Sequence, residues 1–130
     1  MTVPVSQTIS DLRDAAEYMR IHGREIGTYG DHGGPRCAIG AILSACENHS
    51  DCSLWSDRTL IAIRYVSDSL GEVPKVWSLP TYHPLAHFND NIAKSNNEVI
   101  DLFESVAMGL EIKELASAIT TVAEKELVTA

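Results

Sequence analysis

The stretch Gly33-Gly34-Pro35-Arg36-Cys37-Ala38-Ile39-Gly40-Ala41-Ile42 decides how this chain is read. Two glycines break the backbone and a proline restarts it. An apolar run follows in which Ile39, Ile42 and Cys46 recur at three- and four-residue spacing. Proline suits the first helical position, because the amide it lacks would have no intrahelical partner there. Spacing of three and four puts side chains on one helical face. A helix over 35–48 is therefore expected, with Cys37 in its first turn as a small core-facing thiol. Ala38, Gly40 and Ala41 are small enough to let a neighbouring backbone approach closely.

Upstream, Gly23 to Gly34 holds five glycines in twelve residues together with Tyr29, Asp31 and His32, the mark of a loop with unusual backbone geometry. Before it, Ile9, Leu12, Ala16 and Met19 predict a helix from Ser10 to His22, stopped by Gly23. Residues 1–7 read as a loose arm. Downstream, 48–53 is a polar turn, and a third helix runs from a Ser56 cap to Leu70, carrying Leu60, Ile63 and Val66. Three prolines between Gly71 and Pro84 imply an extended connection, and a short helical piece follows to Asn91. Ser95 and Glu98 have the spacing of a capping box that opens a helix to Gly109. A last helix, Leu110 to Leu127, carries Ile112, Leu115, Ile119 and Val122. The expected fold is all-α: a single compact domain of five or six helices with a Gly-rich loop. Residues 1–109 form its core, and 110–130 a C-terminal helix that is either core-packed or self-associating.

Composition excludes several function classes. At 130 residues the chain fits one domain that buries about two thirds of its unfolded surface. With 45% apolar and 22% charged residues it is ordinary globular material. No apolar run approaches the ~20 residues that span a bilayer, and the start lacks a basic then apolar leader, which favours the cytoplasm. A net charge of −8 argues against nucleic acid and anionic membranes as partners. The nearest thing to a basic patch is Arg13, Arg20 and Arg24, and no carboxylate run suggests nucleic-acid mimicry. Cys37, Cys46 and Cys52 form no CxxC pair and are expected as thiols.

The elements just described resemble those of a family of small uncharacterised proteins of actinobacteria and their phages. The shared pattern is an amphipathic first helix (Leu12 to Gly23), the Gly33-Gly34 loop, Cys37-x-x-Gly40-Ala41, an aromatic-Asn-Asp motif (Phe88-Asn89-Asp90) and a helix containing Glu98-Val99. It covers roughly residues 10–108. Phe88 stands where a tryptophan is usual, and the helix after Gly109 is an addition. The resemblance implies no activity, only a phage or actinobacterial cytoplasmic origin.

The second informative segment is His87-Phe88-Asn89-Asp90. A cysteine at a helix N-terminus meets free amides and a partial positive charge, which favour thiolate. His87 would then serve as its base and Asn89 or Asp90 as the orienting group, giving a Cys-His hydrolase or transferase centred on Cys37, His87 and Asp90. A metal reading takes His83 and His87, four residues apart, with Cys37, His32 or Asp31. The compact spacings of zinc modules are absent, so neither metal nor cofactor is expected. A third reading has the Gly-rich loop and helix start holding a small anionic ligand on backbone amides.

The structural reading weighs most. Asn and Asp bond to nearby amides, so Asp90 is expected to tie down either the start of the Cys37 helix or the glycine loop, while Phe88 fills the core. Gly33, Gly34, Cys37, Gly40, Phe88, Asn89 and Asp90 are thus structural or binding residues. Trp55, Trp77, Tyr82 and Phe88 lie near loops, as core fillers rather than partner anchors. Ile112, Leu115, Ile119 and Val122 form a seam suited to homodimerisation, while two heptads ending at Glu126 exclude a long coiled coil. The expected function is that of a small non-enzymatic interaction protein, phage-encoded, acting by binding a host protein or itself.

Overall fold

The first helix begins earlier than its sequence signals suggest. In the computed structural model, which describes residues 2–47, 55–71 and 84–129 with side chains to 127, α1 runs Val5–His22. Pro4 supplies the extended residue before it, and the Pro4 carbonyl accepts from the Gln7 amide at 3.0 Å. No side chain caps this end, so the chain offers no start signal before Val5, and the expected arm shrinks to the residues before it. Thr8, Ile9, Leu12, Ala15, Ala16 and Met19 face inward. Gly23, at φ 88°, closes α1 by donating its amide to the Met19 carbonyl at 2.9 Å.

α2 spans Ala38–Cys46 and is buried almost all round. Pro35 does not open it. Arg36 pairs as isolated bridges with Arg24 and Gly30, and its carbonyl accepts from the Glu25 amide at 3.1 Å. This pairing holds Arg36 outside the helix and leaves Cys37 as the N-cap rather than a first-turn residue.

α3 spans Asp57–Ser69, with the Ser56 hydroxyl accepting from the Thr59 amide at 3.4 Å. Its inner face is Thr59, Ala62, Ile63 and Val66, while Leu60 is 50% exposed. α4, Pro84–His87, widens at once into a π-helix over Phe88–Ile92, in which Ala93 donates to the Phe88 carbonyl five residues back.

α5 runs Asn96–Thr129 without a break. At 1.5 Å per residue that is about 50 Å. A glycine inside a helix costs only about 1 kcal/mol relative to alanine, and Gly109 does not interrupt this one. The two expected helices are therefore one. The capping box is displaced: the Glu98 carboxylate accepts from the Lys94 amide, while the Glu98 amide bonds to the Ser95 carbonyl at 3.2 Å.

The described helices make one compact domain. α2 sits between α1, α3 and α4, and α1 packs along the inner part of α5. The ion pairs Arg20–Glu104 and Arg13–Glu111 show that α1 and α5 run antiparallel. Phe103, Leu12, Met19, Ile39, Ile42, Leu85, Val66 and Val99 are the largest apolar side chains fully enclosed. Among the described residues no helix is long and apolar enough to cross a membrane.

Candidate functional site

Two features stand out from the packed body. One is the polar centre between the loop of residues 23–37 and the π-helix. The other is the outer half of α5.

At the centre lies Asn89, fully buried. The wider π turn (residues 88–92) carries its carboxamide toward α2. There Oδ1 accepts from the Ala38 amide at 3.0 Å, and Nδ2 donates to the Glu25 carbonyl at 2.9 Å and to Asp90 Oδ1 at 2.8 Å. A helix N-terminus leaves orphan amides that need acceptors. Two of α2's are met by Asn89 and by Cys37 Sγ, which accepts from the Gly40 amide at 3.4 Å. Asp90 takes the Gly27 amide at 3.2 Å. The expected roles are thus divided: Asn89 rather than Asp90 caps the Cys37 helix, and Asp90 ties down the loop.

Gly33 and Gly34 are held elsewhere. The Tyr18 hydroxyl accepts from the Gly33 amide at 2.9 Å and donates to the Gly34 carbonyl at 2.7 Å. Gly40 allows a close crossing, since a Cβ there would lie 2.2 Å from the Tyr29 carbonyl oxygen. Phe88 is half-buried against the core, and Trp55 meets the Tyr29 ring edge-on at 5.9 Å. Trp77, Tyr82, His83, Cys52 and the polar turn 48–53 lie outside the described residues.

The surroundings of Cys37 disfavour thiolate. It is 4% exposed, and burial pushes its thiol up in spite of the amides of Gly40 and Ile39. His87 meets Asn91 through Nδ1 at 3.2 Å. A cleft of about 400 Å³ opens beside Gly27, Thr28, Tyr29, Cys37, Ala86 and Asp90. Among the described residues no three His, Cys, Asp or Glu side chains are grouped to hold a metal.

Other buried polar contacts had no motif to announce them. Asp11, 1% exposed, receives Arg58 in two bonds at 2.6 and 3.2 Å. Beside this pair the Cys46 thiol is pushed up to about 12, first by burial and then by the Asp11 charge. Ser44 joins His32 at 3.0 Å and Arg36 at 2.9 Å. The three arginines that looked like a patch are occupied: Arg13 and Arg20 by glutamates, and Arg24 by the Asn89 and Ala93 carbonyls. Only pairing between residues distant in sequence could have disclosed these.

The outer half of α5 is different in kind. Met108, Ile112, Leu115, Ile119 and Val122 are 58%, 61%, 62%, 61% and 56% exposed. Their spacing of 4-3-4-3 is that of a heptad seam. The buried side chains of the inner half, Val99, Ile100, Phe103 and Ala107, lie on another face. At about 100° per residue the two stripes are some 125° apart, so the core stripe cannot continue into the outer one. Every described residue from Glu111 to Leu127 is exposed, so among the described residues no core covers this half. Met108 belongs to the seam although it lies before Gly109, and its position only became legible once the helix proved continuous.

A family model described as a family of unknown function (DUF6197) matches residues 4–108. No curated protein and no solved structure matches the chain.

Proposed function

We propose that this chain, which belongs to the DUF6197 family of unknown function, is a non-enzymatic interaction protein that binds a protein chain through the outer half of α5. The observation that carries this reading is the exposed seam from Met108 to Val122. Scattered apolar side chains on a surface need no explanation, but contiguous apolar stripes mark interaction sites. The family match ends at residue 108, so all of the seam but Met108 lies beyond the matched residues. The body, meanwhile, directs its polar residues to its own backbone: Cys37 and Asn89 cap α2, and Asp90 holds Gly27. Thiolate chemistry at Cys37 and ligand binding at the neighbouring cleft have no comparable support. The sequence resemblance favours a phage or actinobacterial source and a cytoplasmic setting.

The outer half continues a helix already nucleated by its packed inner half, and a partner covering the seam adds to its stability by mass action. Ile119→Glu tests this. It puts a charge in the middle of the seam and touches nothing in the core. The expected result is a full-length chain whose solution mass exceeds the monomer, and a variant that is monomeric and still helical, with a melting temperature no longer dependent on concentration. A variant that associates as the parent does would refute the reading.

A further inference from the structure

We infer that the occupant of the α5 seam is a second copy of this chain, lying antiparallel across it about a two-fold axis near Ser117. The inference rests on the interaction reading above and names its partner.

Three observations carry it. The first is that the seam is its own complement. Set antiparallel about residue 117, Ile112 packs with Val122 of the partner subunit and Leu115 with Ile119 of the partner subunit. Symmetry repeats both layers, so all four side chains are used twice. Met108 lies at each end, against the aliphatic stem of the partner's Glu126. The second is charge. Glu111 and Lys125 flank the seam on the same side, one heptad position ahead of the core. The antiparallel register sets Lys125 of the partner subunit beside Glu111, which already pairs with Arg13 of its own chain at 2.8 Å, so the partner's lysine would join that pair, twice. In a parallel pair Glu126 would meet the partner's Glu126 inside the seam, where like charges repel. The third is room. The seam face continues inward through Ser105 and Asp101, both exposed, a solvent-facing track along which the partner's helix end can lie. Gly109, Ala116 and Ala123 line one edge and let the two backbones come close.

The contact is about 27 Å long at 1.5 Å per residue. That places it near the lower limit of specific interfaces, about 1,200 Å², and a dissociation constant in the micromolar range is expected.

The test uses full chains carrying Ile112→Cys or Val122→Cys, oxidised separately and after mixing, with linked peptides identified by mass spectrometry. In the antiparallel pair residue 112 lies about 15 Å along the axis from its own copy, beyond disulfide reach of about 7 Å. The expected result is a 112–122 link in the mixture and no 112–112 or 122–122 link in either chain alone. Self-links in the separate chains would overturn the antiparallel arrangement and leave the interaction reading standing. A monomeric parent chain at about 0.1 mM, with no links at all, would overturn self-pairing itself. A second variant, Lys125→Glu, sets like charges opposite Glu111 and is expected to raise the dimer dissociation constant about threefold or more. An unchanged constant would contradict the register.

Discussion

The carboxamide of Asn89 joins three segments: the start of α2, the loop at Glu25 and the π-helix to which it belongs. An amide side chain does this because it accepts with one atom and donates with the other. Asn89→Ala leaves the Ala38 amide and the Glu25 carbonyl unpaired in a buried place, and should cost about 2–4 kcal/mol in urea denaturation. Asn89→Asp keeps the acceptor but turns a carboxylate toward the Glu25 carbonyl and Asp90, so it should cost at least as much at neutral pH. An aspartate variant as stable as the parent would contradict this account. Cys46 gives a prediction of another sort. Its thiol titrates near 12 in the folded protein against an ordinary 9.0. Its contribution to stability is therefore complete below pH 9 and falls as pH rises toward 12, by up to about 1.4 kcal/mol per unit. Denaturation curves from pH 8 to 10.5 should show that decline, and Cys46→Ala should reduce it, leaving the slope from Cys37, whose thiol burial also raises. Equal slopes in the two proteins would contradict it.

At the scale of elements, periodicity was the reliable guide where one face meets the core. Ile9, Leu12, Ala16 and Met19 place α1, and Ser56 and Gly71 bracket α3. Boundaries failed where the decisive partner lies elsewhere in the chain. Proline at position 35 suits a helix start by local rules, yet pairing of Arg36 with Arg24 and Gly30 keeps it outside α2. Leu60 fits a helical stripe but is rotated away from it, because Thr59 and Ala62 turn inward. Gly109 shows the limit of local punctuation. Glycine ends a helix when it adopts a left-handed backbone, and here it does not: a Cβ at this position would meet nothing within 4 Å. Gly109→Ala should therefore stabilise the fold by about 0.5–1 kcal/mol, read as a higher denaturation midpoint. A lower midpoint would mean that α5 bends there.

Taken whole, the described residues combine a body whose polar centre is spent on its own backbone with a helix whose outer half carries a stripe of exposed apolar side chains. The all-α class was legible because four helices carry clear apolar stripes, and one fold class follows from them. The polar centre was legible in part. Asn89, Asp90, Cys37 and Gly40 were picked out by residue type, but which of them caps which amide depends on the π turn after His87, and no local pattern encodes that. Asp11 with Arg58, and Ser44 with His32 and Arg36, could not be read at all, since each pair joins segments whose approach is set by packing. The seam was legible as a pattern, and the structure adds that it faces away from the core stripe and starts at Met108. Sedimentation equilibrium of the full chain beside a chain ending at Gly109 tests the central claim most directly. The expected result is a reversible dimer for the full chain, with a micromolar dissociation constant, and a folded monomer for the shortened one. A full chain that is monomeric at about 0.1 mM, or a dimer that survives the truncation, would contradict it.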